Sequence, residues 1–263
     1  MDSLLQAILL GIIEGLTEFL PISSTGHLLI AEHWLGRRSD LFNVAIQSGA
    51  ILAVTLVYRV RLLQLATRWR EDAAVRDLLL KIIVTFGITA ALGLVAKKLG
   101  AKLPETVTPV AVALIAGGLV IFAVEAWIKR QALSTDVGWG VAVAVGVAQV
   151  LAGVFPGTSR SAAAIFAALL FGLRHRGRAA EFAFIVGIPT MFAATGYEFY
   201  KAAGDADAWA AESFSELTAA FLVSAAVGFA AVKWLLRFIS GHSFVPFGWY
   251  RIALGLALLL ALG

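Results

Sequence analysis

Six apolar segments, each long enough to cross a lipid bilayer, constrain this chain more than any other feature. A spanning helix needs about 20 mostly apolar residues, and the segments that qualify are 41–58, 77–96, 107–128, 180–200, 217–239 and 246–262. Only 14% of the 263 residues are charged, against about 25% in an ordinary soluble domain. No stretch between the segments could form a separate soluble domain, so residues 1–263 are predicted to form a single all-α integral membrane domain.

Two further regions are apolar but interrupted by proline. The first comprises 2–20, Pro21 and a short segment at 25–36; the second comprises 138–155, Pro156-Gly157 and a short segment at 159–172. Aligning the two prolines also pairs Gly11 with Gly146 and Ser24 with Ser159. This pattern predicts an internal repeat, with repeat one at about 1–130 and repeat two at about 131–263. Chance similarity between two segments rich in Gly and Leu is the alternative.

Loop charges predict how these regions cross the membrane, because short basic loops stay on the cytoplasmic side. The second interrupted region has basic residues on both flanks, namely Lys129, Arg130, Arg174, Arg176 and Arg178. It should therefore enter and leave on one side, as a re-entrant hairpin. The basic loop at 59–76 is then inside, and the acidic loop with Asp205, Asp207, Glu212 and Glu216 is outside. The lysines at 97–102 fall outside in this scheme and count against it.

If the first interrupted region is also a re-entrant hairpin, each repeat contains three full spans. Because three is an odd number of crossings, the two repeats have opposite orientations in the membrane. The predicted fold is an inverted-topology repeat with six full transmembrane helices and two re-entrant helical hairpins. The first hairpin opens to the outside, and the two tips meet near the membrane midplane. Broken helices with a midplane site are typical of transporters.

The first tip carries two carboxylates, Glu14 and Glu18, one helical turn apart. Each acid at mid-membrane costs roughly 2.5–3.5 kcal/mol, which packing cannot justify. A metal ion, another cation or shared protons would compensate, so Glu14 and Glu18 are candidates for divalent-metal ligands or for a general base. The alternative is that both side chains reach a nearby interface.

The second tip places an arginine among hydroxyls at the start of a helix. The candidate phosphate-binding residues are Thr158, Ser159, Arg160 and Ser161, joined by Ser23, Ser24 and Thr25 at the first tip. Helix N-termini attract anions, and guanidinium binds phosphate through paired hydrogen bonds. Ordinary helix capping by Ser and Thr, with Arg160 pairing a glutamate, is the alternative.

Three other polar residues lie near the tips in the sequence. His27 lies one turn beyond the serines, where it is a candidate acid, base or phosphate donor, or a structural residue. Gln47 and Glu181 lie near the starts of spanning helices in corresponding parts of the two repeats. Either could line the site or form a hydrogen bond between helices.

At these residues the chain resembles the undecaprenyl-diphosphate phosphatase family, also called the bacitracin-resistance proteins, over nearly its full length. The segments that carry the resemblance are 14–27, 42–54, 156–161, 181–184 and 243–251. It implies a hydrolase of the bacterial cytoplasmic (inner) membrane that removes the terminal phosphate of a C55 polyprenyl diphosphate. It also implies a requirement for a divalent cation, Mg²⁺ or Ca²⁺, and an inverted-repeat fold with two re-entrant hairpins. The loop charges place the mouth of the site on the side of the periplasm or the cell exterior.

The resemblance also assigns site residues, which are Glu14, Glu18, Ser24, His27, Ser159 and Arg160. Family members usually have glycine and threonine where this chain has Ala162 and Ala164, so a hydroxyl near the phosphate is missing. The expected partners are the polyprenyl diphosphate and membrane lipid, with no nucleic acid, and a homodimer is left open.

Two routes for hydrolysis and one rival function follow from these residues. Either Ser24 attacks phosphorus, activated by Glu18 or His27, or the same groups activate water. The rival is an inverted-repeat transporter or a flippase for the lipid phosphate, for which midplane acids would also serve. Arg160 distinguishes the two, because a cation carrier gains nothing from a phosphate-binding arginine.

Overall fold

The computed structural model describes residues 2–101, 106–204 and 212–262, so Asp205 and Asp207 of the predicted acidic loop lie outside the described residues. Within these ranges the regular elements are eleven α-helices. They are α1 Ser3–Thr17, α2 Ser24–Leu35, α3 Asp40–Val57, α4 Arg59–Thr67, α5 Ala73–Lys98, α6 Val107–Ile128, α7 Trp139–Val154, α8 Arg160–Leu170, α9 Arg176–Ala203, α10 Phe214–Gly241 and α11 Val245–Leu262.

Six of these helices, α3, α5, α6, α9, α10 and α11, are long and apolar enough to cross a membrane. They coincide with the six segments predicted from the sequence, which is the pattern of a multi-pass membrane protein. Several begin earlier than hydropathy indicates. In α5 the carboxylate of Asp72 accepts hydrogen bonds from the N–H groups of Ala74 (2.8 Å) and Val75 (3.2 Å), so polar capping starts the helix before its apolar part. The predicted basic loop at 59–76 contains α4.

The two interrupted regions form the helix pairs α1–α2 and α7–α8, with the break at the predicted place. Ser23 and Ser159 precede the second helix of each pair and have φ of 73° and 70°, the two positive values among the described non-glycine residues. Each serine Oγ accepts a hydrogen bond from the N–H three residues later, of Gly26 (3.4 Å) or Ala162 (3.3 Å). Positive φ is uncommon for such residues, so the two tips share one local geometry.

Each interrupted region packs its first helix on a helix of the other half of the chain. A Cβ on Gly11 of α1 would lie 2.6 Å from the carbonyl oxygen of Ala220 in α10. A Cβ on Gly146 of α7 would lie 3.0 Å from the carbonyl oxygen of Thr85 in α5. Gly11 and Gly146 are paired by the alignment on the two prolines, and so are Thr85 and Ala220. A Cβ has no room at Gly11, and at Gly146 it would be tighter than ordinary van der Waals contact, so the helix backbones approach closely at both positions.

Helices α6 and α11 approach equally closely and hold the tips from one side. A Cβ on Gly118 would lie 2.7 Å from the carbonyl oxygen of Gly248, and one on Gly255 would lie 2.8 Å from that of Ala111. The largest hydrophobic cluster draws on both halves of the chain, with members that include Phe19, Ile51, Ile121, Ile165, Ile185 and Leu235. The tips therefore lie between packed helices.

Candidate active site

The two tips meet at the carboxylate of Glu18, which directly follows α1 and is 8% exposed. Its Oε2 accepts a hydrogen bond of 2.5 Å from Oγ of Ser24, the first residue of α2. Its Oε1 accepts one of 2.9 Å from Nη2 of Arg160, the first residue of α8. Three residues named from the sequence, on three helix ends, thus form one hydrogen-bonded group.

Glu14, one turn before Glu18, is 2% exposed, and its Oε2 has no hydrogen-bond partner within the described residues. It lines a cavity of about 710 Å³ together with Ser24, Thr25 and Gln47. A buried carboxylate oxygen without a donor is costly, and carboxylate oxygen is the ligand that Mg²⁺ and Ca²⁺ prefer. The described part of the chain holds no cluster of three or more His, Cys, Asp or Glu suited to a metal. A cation at Glu14 would need further ligands from substrate or water.

The rest of the cavity is polar and leads toward the α2–α3 connection and the C-terminal end of α9. Its remaining lining includes Glu32, His33, Arg37, Asp40, Asn43, Glu198 and Lys201. Gln47 lies on this cavity, whereas Glu181 forms ion pairs with Arg178 (2.8 Å) and Arg61 (3.3 Å). Gln47 therefore lines the candidate site, whereas Glu181 links α9 to α4 through its ion pair with Arg61.

His27 lies beside the site with both ring nitrogens occupied. Its Nδ1 lies 2.7 Å from the carbonyl oxygen of Ser23, and its Nε2 lies 2.6 Å from the hydroxyl of Tyr250. A carbonyl can only accept, so Nδ1 carries the proton, and Nε2 of a neutral ring accepts from Tyr250. The two rings also stack, with centroids 5.6 Å apart. These bonds go to Ser23 and Tyr250 rather than to Ser24.

Several hydroxyls named as phosphate ligands hold the tips in shape. Ser23 and Ser159 cap their helices, as the alternative interpretation had it. The Oγ of Ser161 donates to the carbonyl oxygen of Leu20 (3.1 Å) and lies 3.0 Å from Oγ of Ser159. Thr25 lines the cavity. Ser24, Thr25 and Arg160 are thus the predicted ligands best placed for a substrate.

Thr158 contributes through its backbone, and the two alanines that depart from the family pattern are buried. The carbonyl oxygen of Thr158 accepts a hydrogen bond of 3.0 Å from Arg251. Ala162 and Ala164 are 4% and 2% exposed and belong to the largest hydrophobic cluster. Methyl groups therefore fill the positions at which the resemblance implies a glycine and a hydroxyl.

Sequence reasoning assigned no role to Arg251, which is fully buried, or to its neighbour Tyr250. Glu125 was also missed: it is 1% exposed and accepts hydrogen bonds from Nε (2.9 Å) and Nη2 (2.5 Å) of Arg176 and from the N–H of Phe244 (2.9 Å). The available signal was a charged residue inside an apolar segment, which is rare and usually functional or paired.

Fold and site together define a helical multi-pass membrane protein with a partly buried group of acid, hydroxyl and arginine. Residues 7–257 match the family described as bacitracin resistance protein BacA, and the chain belongs to that family. It is 58% identical over 255 residues to the undecaprenyl-diphosphatase of Rhizobium etli (strain CIAT 652), covering 97% of this chain and 96% of that one.

Two other relatives agree. The undecaprenyl-diphosphatase of Xanthomonas campestris pv. campestris (strain 8004) is 56% identical over 263 residues, covering 99% of this chain and 98% of the relative. That of Xylella fastidiosa (strain 9a5c) is 54% identical over 259 residues, covering 98% of each. The family predicted from the motifs is confirmed.

Proposed function

We propose that this chain is an undecaprenyl-diphosphatase, which hydrolyses undecaprenyl diphosphate to undecaprenyl phosphate and inorganic phosphate. The product is the lipid carrier that cell-wall synthesis reuses. The observation that carries the proposal is the group in which Ser24 and Arg160 both bond to Glu18. It supplies a nucleophile or water-orienting hydroxyl, a base and a phosphate-binding cation, in a chain 54–58% identical to relatives of that name. The transporter alternative is not favoured.

The hydrogen bond from Ser24 to Glu18 gives the direction of proton transfer. As Ser24 Oγ, or a water in its place, attacks the terminal phosphorus, the hydroxyl proton passes to Oε2 of Glu18. The bond from that phosphorus to the bridging oxygen breaks, and undecaprenyl phosphate leaves with the bonding pair. With serine as nucleophile, water then hydrolyses the phosphoserine; with water as nucleophile, phosphate leaves at once. Both routes use the same geometry.

Arg160 and the start of α8 stabilise the transferred phosphoryl group. One guanidinium nitrogen bonds to Glu18, and the side chain is 28% exposed, which leaves other donors for phosphate oxygens. Phosphoryl transfer depends mainly on positioning and on electrostatic stabilisation of the equatorial oxygens. Glu18 thus orients the arginine that receives the substrate.

A divalent cation fits the unpartnered carboxylate oxygen of Glu14. Glu14, with Glu18 as a second ligand, would hold it, and phosphate oxygens would complete its shell, as is common for Mg²⁺. The cation would neutralise part of the diphosphate charge. In its absence the carboxylate of Glu14, which forms none of the ion pairs found among the described residues, would repel an anionic substrate, which gives a reason for a metal requirement.

The finer architecture and location are part of the same proposal. The shared geometry at Ser23 and Ser159, and the matching contacts of Gly11 and Gly146, support an inverted repeat with two re-entrant hairpins. In this arrangement the cavity beside Glu14 opens on the outer face of the bacterial cytoplasmic membrane, away from the basic α4 segment.

Phosphate release by the purified protein tests the function. Undecaprenyl diphosphate in detergent should yield one phosphate per lipid with Mg²⁺ or Ca²⁺ present, and much less after chelation with EDTA. The matched control is Glu18→Gln, purified in the same way to exclude a contaminating phosphatase. Release no faster than in this control, with either metal present, would reject the hydrolase and reopen the transporter.

A further inference from the structure

Arg251, in the second turn of α11, is fully buried and reaches both tips of the site. All five of its hydrogen bonds go to backbone carbonyl oxygens. Nη1 donates to Pro21 (3.3 Å) and Thr158 (3.0 Å), Nη2 to Gly157 (3.0 Å) and Ala113 (3.0 Å), and Nε to Leu114 (3.3 Å). One side chain therefore links the first tip, the second tip and α6.

Its charge has no acidic partner, since the ion pairs found among the described residues do not include Arg251. An arginine remains charged in proteins, and a buried charge is costly unless it is hydrogen-bonded. Here carbonyl dipoles provide the compensation. Five carbonyl oxygens need five N–H donors, and arginine is the side chain that supplies them in one rigid fork. The link therefore depends on the arginine itself, and it lies beside the proposed phosphate site.

We propose that Arg251 is a positioning residue for the hydrolysis, which fixes the two tips to each other so that Glu18, Ser24 and Arg160 meet. The inference rests on the proposed function. Pro21 precedes Ser24 by one turn of chain, and Thr158 lies just before Arg160. Holding both carbonyls on one guanidinium fixes the distance between the hydroxyl and arginine sides of the site.

The room for this side chain is provided by Gly117 of α6. A Cβ at that position would lie 2.1 Å from Nη2 and 2.5 Å from Cζ of Arg251, so alanine cannot fit unless the guanidinium moves off its carbonyls. Gly117→Ala therefore disturbs the link without changing Arg251. Gly87 of α5 is the matched control, because a Cβ there has nothing within 4 Å.

The experiment measures tip geometry and catalysis separately. The chain has no cysteine, so Thr25→Cys and Thr158→Cys accept spin labels in nanodiscs, and pulsed electron resonance gives the distance between the tips. Arg251→Lys and Gly117→Ala should broaden this distance distribution, and Gly87→Ala should not. Kinetic measurements use the same three substitutions in the protein that lacks the two added cysteines.

Arg251→Lys and Gly117→Ala, the two link variants, should each lose roughly 10–100-fold in kcat, because moving a reacting group by about 1 Å costs on that order. KM should change less than about threefold, since the apolar tail binds elsewhere. Combining Arg251→Lys with Gly117→Ala should add little to either alone, because both break one link.

Three outcomes would overturn the proposal: an unchanged distance distribution in both link variants, a broadened one with normal kcat, or a lower melting temperature as the sole effect. If Arg251→Lys does not fold, the comparison of Gly117→Ala with the control Gly87→Ala tests the proposal by itself. The distance measurement needs no substrate, so it judges Arg251 even if the wild-type protein releases no phosphate and the hydrolase proposal fails.

Discussion

Ser24 Oγ donates a hydrogen bond of 2.5 Å to Oε2 of Glu18, and the other oxygen of that carboxylate is held by Arg160 at 2.9 Å. One carboxylate thus joins the hydroxyl to the phosphate-binding cation across two tips that lie far apart in the sequence. The proton acceptor and the phosphate-binding group cannot shift independently of each other.

Glu18→Gln should abolish measurable hydrolysis, with a loss in kcat of about 10²–10⁴-fold, the usual contribution of a general base. An amide cannot take the Ser24 proton, and it cannot accept from both Ser24 and Arg160 through two oxygens. The protein should still insert and fold, because the amide oxygen can still accept from Arg160 and the removal of one of two neighbouring like charges offsets part of the lost ion pair. Phosphate release and size-exclusion profiles measure the two effects. Retained activity would exclude Glu18 as the general base and as a metal ligand. Glu14→Gln is the comparison, and its loss of kcat should be smaller.

Tyr250→Phe tests the part played by His27 through its Nε2 partner. The substitution removes the hydroxyl 2.6 Å from Nε2 and keeps the stacked ring. If His27 mainly supports the tip through Ser23, the loss should be about that of one hydrogen bond, roughly 0.5–1.5 kcal/mol or 2–12-fold in kcat. His27→Ala, which also loses the bond to the Ser23 carbonyl, should be worse. A Tyr250→Phe enzyme faster than wild type would instead identify free Nε2 as the working acid or base.

The spans and the tips could be predicted because their signals are local in sequence. Apolar length gave the six spanning helices, and a proline break beside paired acids gave the first tip. The pairing of Glu18 with Arg160, which lie 142 positions apart, could be anticipated only from the predicted repeat, in which the two tips meet. The composition of a single segment is enough to predict a helix, whereas the side-chain contacts depend on how that helix packs against the others.

Arg251 and Glu125 show why the rest could not be predicted. The partners of Arg251 are backbone carbonyls, which every residue has, so no sequence pattern marks them. Glu125 pairs with Arg176 across 51 positions, and that arginine had been assigned to a basic loop. The helix α4 was also missed, because its mixture of arginine and leucine has neither the apolar length of a span nor a strong turn signal.

Glu125→Gln should lower stability without a direct effect on catalysis. The change leaves Arg176 without its carboxylate, to which it donates at 2.9 and 2.5 Å, and none of the partners of Glu125 lies in the candidate site. Loss of a fully buried pair costs about 3–5 kcal/mol, but Arg176 is 27% exposed, so about 1–3 kcal/mol is expected. Thermal unfolding in detergent measures it, with the exposed Glu71→Gln as control. A fall in kcat of the folded variant beyond about twofold would contradict this separation.

Cysteine labelling tests the side on which the cavity opens. Arg37 lies on the cavity rim and Arg68 follows α4, and both are exposed. The chain has no native cysteine. An impermeant maleimide should label Arg37→Cys in intact cells, and it should label Arg68→Cys only after permeabilisation. Both should react in detergent, which controls for access. The reverse pattern would place the cavity mouth, and with it the chemistry, on the cytoplasmic side.

Arg160→Lys separates phosphate binding from simple charge balance. Lysine keeps the positive charge but loses the planar fork that binds two phosphate oxygens at once. If Arg160 only neutralises Glu18, to which Nη2 donates at 2.9 Å, lysine should serve nearly as well.

If Arg160 instead binds the phosphoryl group with its remaining donors, the loss of one charge-assisted bond costs roughly 1.5–3 kcal/mol, on the order of 10–150-fold in rate. The loss should fall on kcat more than on KM, because the polyprenyl tail supplies much of the ground-state binding and the extra phosphate charge develops later. Kinetics on a short-chain polyprenyl diphosphate measure it, with the exposed Arg68→Lys as a matched control. Near-wild-type turnover would reduce Arg160 to a counter-ion of Glu18, and phosphate binding would then fall to the helix N-termini and the hydroxyls of the two tips.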